Sequence, residues 1–253
     1  MYPTTMEARR KLLLTAVIAF VLVPCLSAIT VEDLEIRCPI CKTVNKVPVV
    51  GSYGSYACFA EGELDLVPCP IAYTGSIWTC SKCRFTVYVG DEKIPEEKVS
   101  AVERVLAKLP GDLNVADNTS ETWKTFSMSD RLFVAEGVYR CLGRDSEFWA
   151  SFYRVAGYFA ARESKTDRAR RLRARALTAY QLLLQDRRRA DLRKQDLLGA
   201  GAVAAKLGIR ALARQYLTQV ENARYAPSES TPATQVETRK ELNALATKIL
   251  ASL

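Results

Sequence analysis

Four of the chain's eight cysteines have a spacing that could bind a metal ion. Cys38-Pro-Ile-Cys41 and Cys80-Ser-Lys-Cys83 are two CxxC pairs, separated by residues 42–79. In a zinc ribbon each pair lies in a tight turn at the end of a hairpin, and four thiolates surround one tetrahedral Zn²⁺ at about 2.3 Å. Metal binding then stabilises a module that is too small to fold by itself. The spacing predicts a structural zinc ribbon with Cys38, Cys41, Cys80 and Cys83 as its ligands.

The same four thiols have two other uses that the sequence leaves open. In an exported protein they could form two disulfides, and Cys80 with Cys83 could catalyse thiol–disulfide exchange. A bond within one CxxC pair closes a small, strained ring, which suits redox activity better than structure. A redox CxxC normally precedes a helix, however, and neither pair precedes a helical pattern. Zinc is therefore the favoured interpretation, and a redox protein is the alternative.

Four further cysteines lie outside the two pairs, and one of them, Cys25, belongs to the N-terminal segment. Cys58 and Cys69 could form a disulfide, could be buried as small apolar side chains, or could bind a second ion together with carboxylates such as Glu61 or Asp65. If the protein is exported, the disulfide is the simplest of these interpretations. Cys141 lies on the apolar face of a predicted helix, and we predict that it is a core residue.

The absence of histidine from all 253 residues limits the catalytic chemistry of the chain. Histidine is the commonest general base near neutral pH, and most serine and cysteine proteases depend on it. Its absence argues against hydrolysis by such sites, although it does not exclude catalysis by Asp, Glu, Lys or Tyr. No residue pattern indicates a catalytic residue or a small-molecule substrate. We therefore expect a protein that is not an enzyme.

Short strands are predicted to position the cysteines, and helices are predicted to follow them. Residues 38–90 are rich in Gly, Pro, β-branched and aromatic residues, which predicts strands at Thr43–Val50, Ser76–Thr79 and Arg84–Val89. After Pro95 the apolar residues recur at helical spacing. Helices are predicted at Val99–Leu109, Asp130–Leu142, Asp145–Ala161, Asp167–Gln185, Asp191–Leu207, Arg210–Tyr225 and Thr234–Leu253. The expected fold class is α+β: a small β zinc ribbon followed by an all-α array, antiparallel because its connections are short.

Small residues near the C-terminus are typical of tetratricopeptide repeats. Small side chains that face each other on consecutive helices allow close packing. This pattern is formed by Leu197, Ala200, Gly201, Ala204, Gly208, Ala213, Leu217 and Val220. The stretch around Phe152 and Phe159 fits a second repeat only if the turn after it is longer. The pattern is thus compatible with a repeat-like array and also with an irregular bundle.

The first 28 residues have the pattern of a secretory signal. Arg9-Arg10-Lys11 precedes an apolar run from Leu12 to Val23, which Pro24 ends, and small residues follow. A basic region, an apolar core and small residues near a cleavage point are typical of signal peptides. A retained membrane anchor and a buried helix of a soluble domain remain alternatives, and the paired arginines partly match a twin-arginine signal. We predict a protein that is exported, periplasmic or anchored to the membrane by this segment.

A dense run of basic residues predicts an anionic partner. Between Arg162 and Lys194 twelve Lys and Arg face four Asp and Glu, an excess that equals the net charge of +8 for the whole chain. Arg168, Arg171 and Arg175 form one row on a predicted helix, where like charges at this spacing repel. A solvated surface is the alternative. We expect an acidic protein or an anionic membrane surface. Nucleic acid is not expected, because the leader indicates export and the basic face has no interleaved aromatic residues for base stacking.

The cysteine pairs and the residues around them resemble a bacterial family known as domain of unknown function 2225. The likeness rests on the segments Cys38-Pro-Ile-Cys41, Asp65–Pro70, Trp78–Phe85 and Ile94–Glu97, and it covers roughly residues 34–225. Members pair a cysteine-knuckle module with helices that resemble tetratricopeptide repeats. Where the family usually has Gly followed by an aromatic residue, this chain has Arg84-Phe85. The resemblance implies metal ligation by the four CxxC cysteines, and it carries no established activity.

These patterns together predict three regions and one function. Residues 1–28 are predicted to be a signal peptide or anchor, residues 34–92 a zinc-ribbon-like domain, and residues 95–253 a helical domain. The expected function is a non-enzymatic scaffold or adaptor, with structural Zn²⁺ and a helical region that binds a protein. The alternatives are a thiol–disulfide redox protein or, if the protein is cytoplasmic, a nucleic-acid-binding ribbon.

Overall fold

The computed structural model describes residues 30–52, 77–113, 127–228 and 230–253. The predicted leader and the pair Cys58 and Cys69 lie outside these ranges. Within them the chain has the predicted α+β fold, with short antiparallel strands followed by helices. Across the same ranges, none of the helices has the length and apolar character needed to cross a membrane.

The β module consists of two antiparallel hairpins. β1 (Thr30–Arg37) pairs with β2 (Val44–Ser52), and β3 (Ile77–Thr79) pairs with β4 (Thr86–Tyr88). One CxxC pair lies in the turn of each hairpin. β2, β3 and β4 correspond to predicted strands, but the sequence pattern does not predict β1. Ile36 is the one buried side chain among residues 32–37, so β1 lacks the alternation of a half-buried strand.

Seven α-helices follow the strands in the described ranges. They are α1 (Glu96–Ala107), α2 (Met128–Leu142), α3 (Ser146–Arg162), α4 (Thr166–Gln185), α5 (Arg193–Lys206), α6 (Arg210–Val220) and α7 (Pro232–Ala251). A 3₁₀ turn, Arg187–Leu192, precedes α5. Three helix starts have a side chain that accepts a backbone N–H: Ser127 before α2, Asp145 before α3 and Thr231 before α7. Such N-caps fix the boundaries that periodicity alone leaves uncertain.

The hairpins α3–α4 and α5–α6 have the same three-residue turn. Ser164 and Gly208 occupy equivalent places and both have the left-handed conformation, with φ of 59° and 76°. The backbone hydrogen bonds of the two turns correspond one to one: Ser164 N–Ala161 O 3.0 Å and Gly208 N–Ala205 O 2.9 Å, Lys165 N–Ala160 O 2.8 Å and Ile209 N–Ala204 O 2.9 Å. The expectation that the first hairpin needs a longer turn is therefore wrong, because Ser164 adopts the conformation that Gly208 adopts in the second.

Glycine permits the close approach of the helices in both hairpins. A Cβ on Gly157 would lie 2.9 Å from Arg173 Cγ, and one on Gly201 would lie 2.5 Å from Leu217 Cγ. Gly157 and Gly201 are again equivalent positions of the two hairpins. The predicted packing of small residues is thus present in both, and the helical region contains a repeated α-hairpin.

α6 ends at Val220, five residues before the predicted end at Tyr225. The buried Lys194 ammonium donates to the carbonyl oxygens of Val220 and Glu221, which belong to the free C-terminal end of α6. In the segment that follows α6, Arg224 O accepts a hydrogen bond from the backbone N–H of Lys194 at 3.1 Å. These bonds to the start of α5 replace further helical bonds, so the helix stops although the apolar pattern continues.

Polar contacts join the β3–β4 hairpin to α2. Tyr139 Oη accepts a hydrogen bond from Tyr88 N at 2.7 Å and donates one to Asp91 Oδ2 at 2.8 Å. Burial raises the pKa of Tyr139, so the hydroxyl keeps the proton that it donates. Arg131, also on α2, donates to Ile77 O at 3.2 Å. Both strands of this hairpin are therefore hydrogen-bonded to one helix.

Candidate functional site

The two CxxC turns have the same backbone conformation. Lys42 and Arg84, which directly follow the second cysteine of each pair, both have φ 62°. The same two hydrogen bonds close each turn: Lys42 N–Cys38 O 3.0 Å and Cys38 N–Thr43 O 2.9 Å, and Arg84 N–Cys80 O 2.9 Å and Cys80 N–Phe85 O 2.8 Å. The left-handed residue reverses the chain after the second thiol, so each turn directs both thiols to a common centre.

The structure brings the four predicted ligands together. Their sulfur atoms all lie within 4.8 Å of one another. Cys38 Sγ lies 3.5 Å from Cys83 Sγ, and Cys41 Sγ lies 3.4 Å from Cys80 Sγ. Four sulfurs at about 2.3 Å from a tetrahedral ion lie about 3.8 Å apart, close to these distances. The donor set therefore fits a tetrahedral metal ion.

Two contacts between thiols join one turn to the other. Cys38 Sγ contacts Cys83 Sγ, and Cys41 Sγ contacts Cys80 Sγ. A redox CxxC forms its bond within one pair and usually precedes a helix, whereas β4 follows Cys80 and Cys83 here. The geometry thus resembles a metal cluster more closely than two separate redox pairs.

Asn45 supports the cluster from β2. Its side chain is buried and its Nδ2 lies 3.7 Å from Cys80 Sγ, while Oδ1 accepts hydrogen bonds from Ser81 N at 3.0 Å and Ser81 Oγ at 3.1 Å. Thr43 Oγ1 lies 3.4 Å from Cys41 Sγ. Asn45 thus orients one ligand and ties the two turns together, which is the usual role of groups around a metal site. The spacing of the cysteines does not predict this role of Asn45, since its contacts with Cys80 and Ser81 form only when the two hairpins meet.

The clustered thiols share their protons unequally in the absence of metal. The hydrogen bond with Cys80 raises the pKa of the Cys38 thiol to about 11. Hydrogen bonds from Cys38 and Cys83 lower the pKa of Cys80 well below its usual range. One thiolate in the cluster is therefore stabilised by its neighbours' protons, and a bound cation would take the place of those protons.

Arg84 also connects this site to α1. Its Nη1 donates to Pro110 O at 2.8 Å and its Nη2 to Leu109 O at 3.4 Å. Both carbonyl groups follow the C-terminus of α1, where a cation is favourable. The residue that completes the second CxxC turn therefore also holds the end of a helix.

The predicted arginine row borders one cavity between α2 and α4. Arg168, Arg171 and Arg175 line a space of about 170 Å³, together with Leu132 and Phe133. The three arginines differ in their partners. Arg168 Nη1 lies 2.6 Å from Asp130 Oδ1 and Arg175 Nη1 lies 2.6 Å from Glu136 Oε1, whereas in the described part of the chain no ion pair includes Arg171. Sequence periodicity places the row correctly but does not show which charges are compensated.

A cluster of polar side chains joins the start of α2 to the α3–α4 turn. Lys165 Nζ donates to Ser127 Oγ at 2.6 Å, Ser129 Oγ at 2.9 Å and Asp130 Oδ1 at 2.8 Å. Glu163 accepts from Ser129 N at 2.9 Å and from both serine hydroxyls. A serine nucleophile with a lysine base needs a neutral amine, but here two carboxylates compensate the ammonium charge. The cluster therefore serves as a clamp between helices.

Cys141, which the sequence predicts to be a core residue, is partly buried. Cys141 packs against the core of the helical region, and its Sγ donates to Gly137 O at 3.5 Å. Its thiol is not part of the four-cysteine group. This position agrees with the predicted packing role.

Comparison with family models, with curated proteins and with solved structures finds no match to this chain. The resemblance to the cysteine-knuckle family accordingly stays a prediction from the motifs.

Proposed function

We propose that this protein is a non-enzymatic adaptor, in which a structural zinc ribbon supports a helical region that binds a protein. The observation that carries the proposal is the convergence of Cys38, Cys41, Cys80 and Cys83 from two identical turns. Four soft thiolates in tetrahedral arrangement suit zinc or iron. A site with four protein ligands leaves no open position for a substrate, which supports a structural role.

The ribbon's contacts with the helices support the adaptor interpretation. Tyr139 bonds to the backbone of β4, and Arg84 bonds to carbonyl groups after α1. Through these contacts the metal-stabilised hairpins would hold the first helices in place. The repeated α-hairpin then adds surface of the kind that repeat proteins use for binding.

Metal analysis tests the structural ion. We expect about one zinc per purified chain, and loss of both the metal and the ribbon fold in Cys38→Ser and Cys83→Ser. Cys141→Ser is the matched control, since it removes a thiol outside the cluster and should leave the zinc content unchanged. If the purified chain contains iron and absorbs visible light, the bound ion is iron and not zinc. Metal-free protein with all four thiols oxidised would contradict the proposal, and insulin reduction that depends on Cys80 would favour the redox alternative.

Cross-linking in the native envelope fraction tests the adaptor role. The full, metal-loaded chain should capture one protein at fixed stoichiometry, with cross-links on the helices. Recovery of nucleic acid in place of protein would contradict the proposal.

We also propose export or membrane anchoring, on the basis of the leader pattern at residues 1–28. Residues 1–35, fused to a reporter that is active only outside the cytoplasm, should give signal. Replacing Val17 and Ile18 with Asp should abolish the signal, because a charged core no longer inserts. A fully cytosolic protein would overturn this proposal and favour a nucleic-acid partner.

A further inference from the structure

The cavity between α2 and α4 has the size of one side chain. Its volume is about 170 Å³, whereas pockets for drug-sized ligands occupy roughly 300–1,000 Å³. Leu132, Ala156 and Leu172 are buried and form its apolar floor. A small molecule would find little enclosure here, but one side chain of a longer ligand would fit.

The charged residues that line this cavity, together with the charged groups paired with them, carry two positive charges in excess of their acids. Lys165 and Arg168 are balanced by Asp130 and Glu163. Glu136 alone compensates both Arg140, at 2.9 Å, and Arg175, at 2.6 Å. Arg171 adds a second uncompensated charge, since it is exposed and has no ion pair within the described ranges. An anionic group at the rim would therefore meet Arg171 and Arg175.

Phe133 supplies an apolar contact next to these charges. It is 41% exposed, although it lies on the cavity wall beside buried leucines. The Arg168 guanidinium lies 5.2 Å from the centre of its ring, a cation–π contact that orients the ring. The rim thus combines a fixed aromatic surface with two guanidinium groups within one narrow depression.

We propose that this cavity binds an acidic peptide segment of the protein partner, with a carboxylate at Arg171 and Arg175 and an adjacent apolar side chain at Phe133. The inference rests on the adaptor function proposed above and names the site and the partner chemistry. A peptide fits better than a membrane surface, because a bilayer cannot enter a depression between two helices.

Fluorescence anisotropy of a labelled peptide tests the inference with the full, metal-loaded chain. The probe is a fluorescein-labelled peptide of Asp, Glu and Gly residues around one Leu. Replacing Arg171 and Arg175 with Gln should weaken its binding about tenfold or more, because two charge-assisted hydrogen bonds are lost. Replacing Arg170 and Arg214, exposed arginines outside the cavity, removes the same charge and should change binding about twofold or less. Circular dichroism verifies that each variant is folded.

A comparison of two peptides tests the apolar contact with Phe133. Phe133→Ala should weaken binding of the Leu peptide but not of the same peptide with Ser in place of Leu. Equal losses in the two arginine double variants would overturn the inference in favour of diffuse attraction. Binding to phosphatidylserine vesicles through Arg171 and Arg175, without peptide binding, would overturn it in favour of a membrane. If the cavity variants bind the peptide as tightly as the unchanged chain does, and the partner protein is still captured by cross-linking, the cavity assignment fails while the adaptor function stands.

Discussion

Lys194 Nζ lies 2.6 Å from Asn243 Oδ1, which ties the first turn of α5 to the middle of α7. The same ammonium donates to the last carbonyl groups of α6, and its side chain is 1% exposed. Burial lowers the pKa of Lys194, but three oxygen partners satisfy its three donors. One buried cation therefore connects three helices.

Lys194→Met should destabilise the C-terminal helices strongly. Methionine fills a similar volume but leaves the carbonyl groups of Val220 and Glu221 and the side chain of Asn243 without their donor, a loss of about 2–4 kcal/mol. Urea unfolding followed by circular dichroism measures the free energy of unfolding. Lys240→Met removes an exposed cation from α7 and should change it by less than about 0.5 kcal/mol. Equal effects of the two substitutions would show that Lys194 contributes only its charge.

The two equivalent glycines should differ in their tolerance of alanine. In Gly201→Ala the new Cβ meets Leu217 Cγ at 2.5 Å, and Leu217 is buried and unable to move away. We expect a loss of about 1–3 kcal/mol from overpacking. In Gly157→Ala the closest contact is longer, 2.9 Å to Arg173 Cγ, and Arg173 is only partly buried, so the higher helix propensity of alanine, about 1 kcal/mol, should offset part of the loss. Thermal unfolding of both variants tests this order, and a larger loss at Gly157 would contradict it.

Lys42→Gly and Arg84→Gly should separate backbone conformation from side-chain contact in the CxxC turns. Both residues have φ 62°, where glycine is favoured over other residues by about 1 kcal/mol. Lys42→Gly removes one exposed hydrogen bond, from Lys42 Nζ to Pro39 O at 2.7 Å, and should still stabilise the metal-loaded chain by about 0.5 kcal/mol. Arg84→Gly also removes the hydrogen bonds to Pro110 and Leu109, so its net effect should be about zero or destabilising. Unfolding at constant zinc concentration measures the difference, and equal stabilisation would show that the contacts to Pro110 and Leu109 contribute nothing.

Acid should weaken the clamp around Glu163. Burial raises the pKa of Glu163, but hydrogen bonds from Ser127 and Ser129 outweigh it, so the net pKa is lowered. A carboxylate with a lowered pKa stabilises the fold above its unfolded pKa of about 4.3, and this contribution is lost as the pH falls through the folded value. We expect the free energy of unfolding to fall below about pH 4. Glu163→Gln should flatten this slope, as measured by urea titrations across pH, and an unchanged slope would assign the acid sensitivity to other carboxylates.

The convergence of the four CxxC cysteines is the part of the site that the sequence predicts best. The spacing Cys38–Cys41 and Cys80–Cys83 indicates it, because two CxxC turns of this kind typically surround one metal ion. The presence of the helices is also predicted from the apolar period. The period does not show that residues 152–160 of α3 and 196–204 of α5 are buried on every side. β1 is missed because one buried side chain, Ile36, cannot produce a pattern.

Features that depend on long-range contacts are not visible in the sequence. The end of α6 depends on Lys194, whose carbonyl partners lie beyond residue 219. The state of the arginine row depends on Asp130 and Glu136 from another helix, so sequence reasoning treats Arg168 and Arg171 as equal although only Arg168 is paired. Local patterns determine which residues share a face, but folding determines which charges meet.

The hydrogen bond between Tyr139 and the Tyr88 amide has a consequence for the order of assembly. The two residues lie 51 positions apart, and all four clustered cysteines precede both of them in the chain. If the proposed metal binds these thiols during synthesis, it does so before α2 exists, while the outer edge of β4 has water as its partner. The helix would then dock onto a preformed nucleus. Growth conditions that starve cells of the metal should therefore trap newly made chains at this early stage.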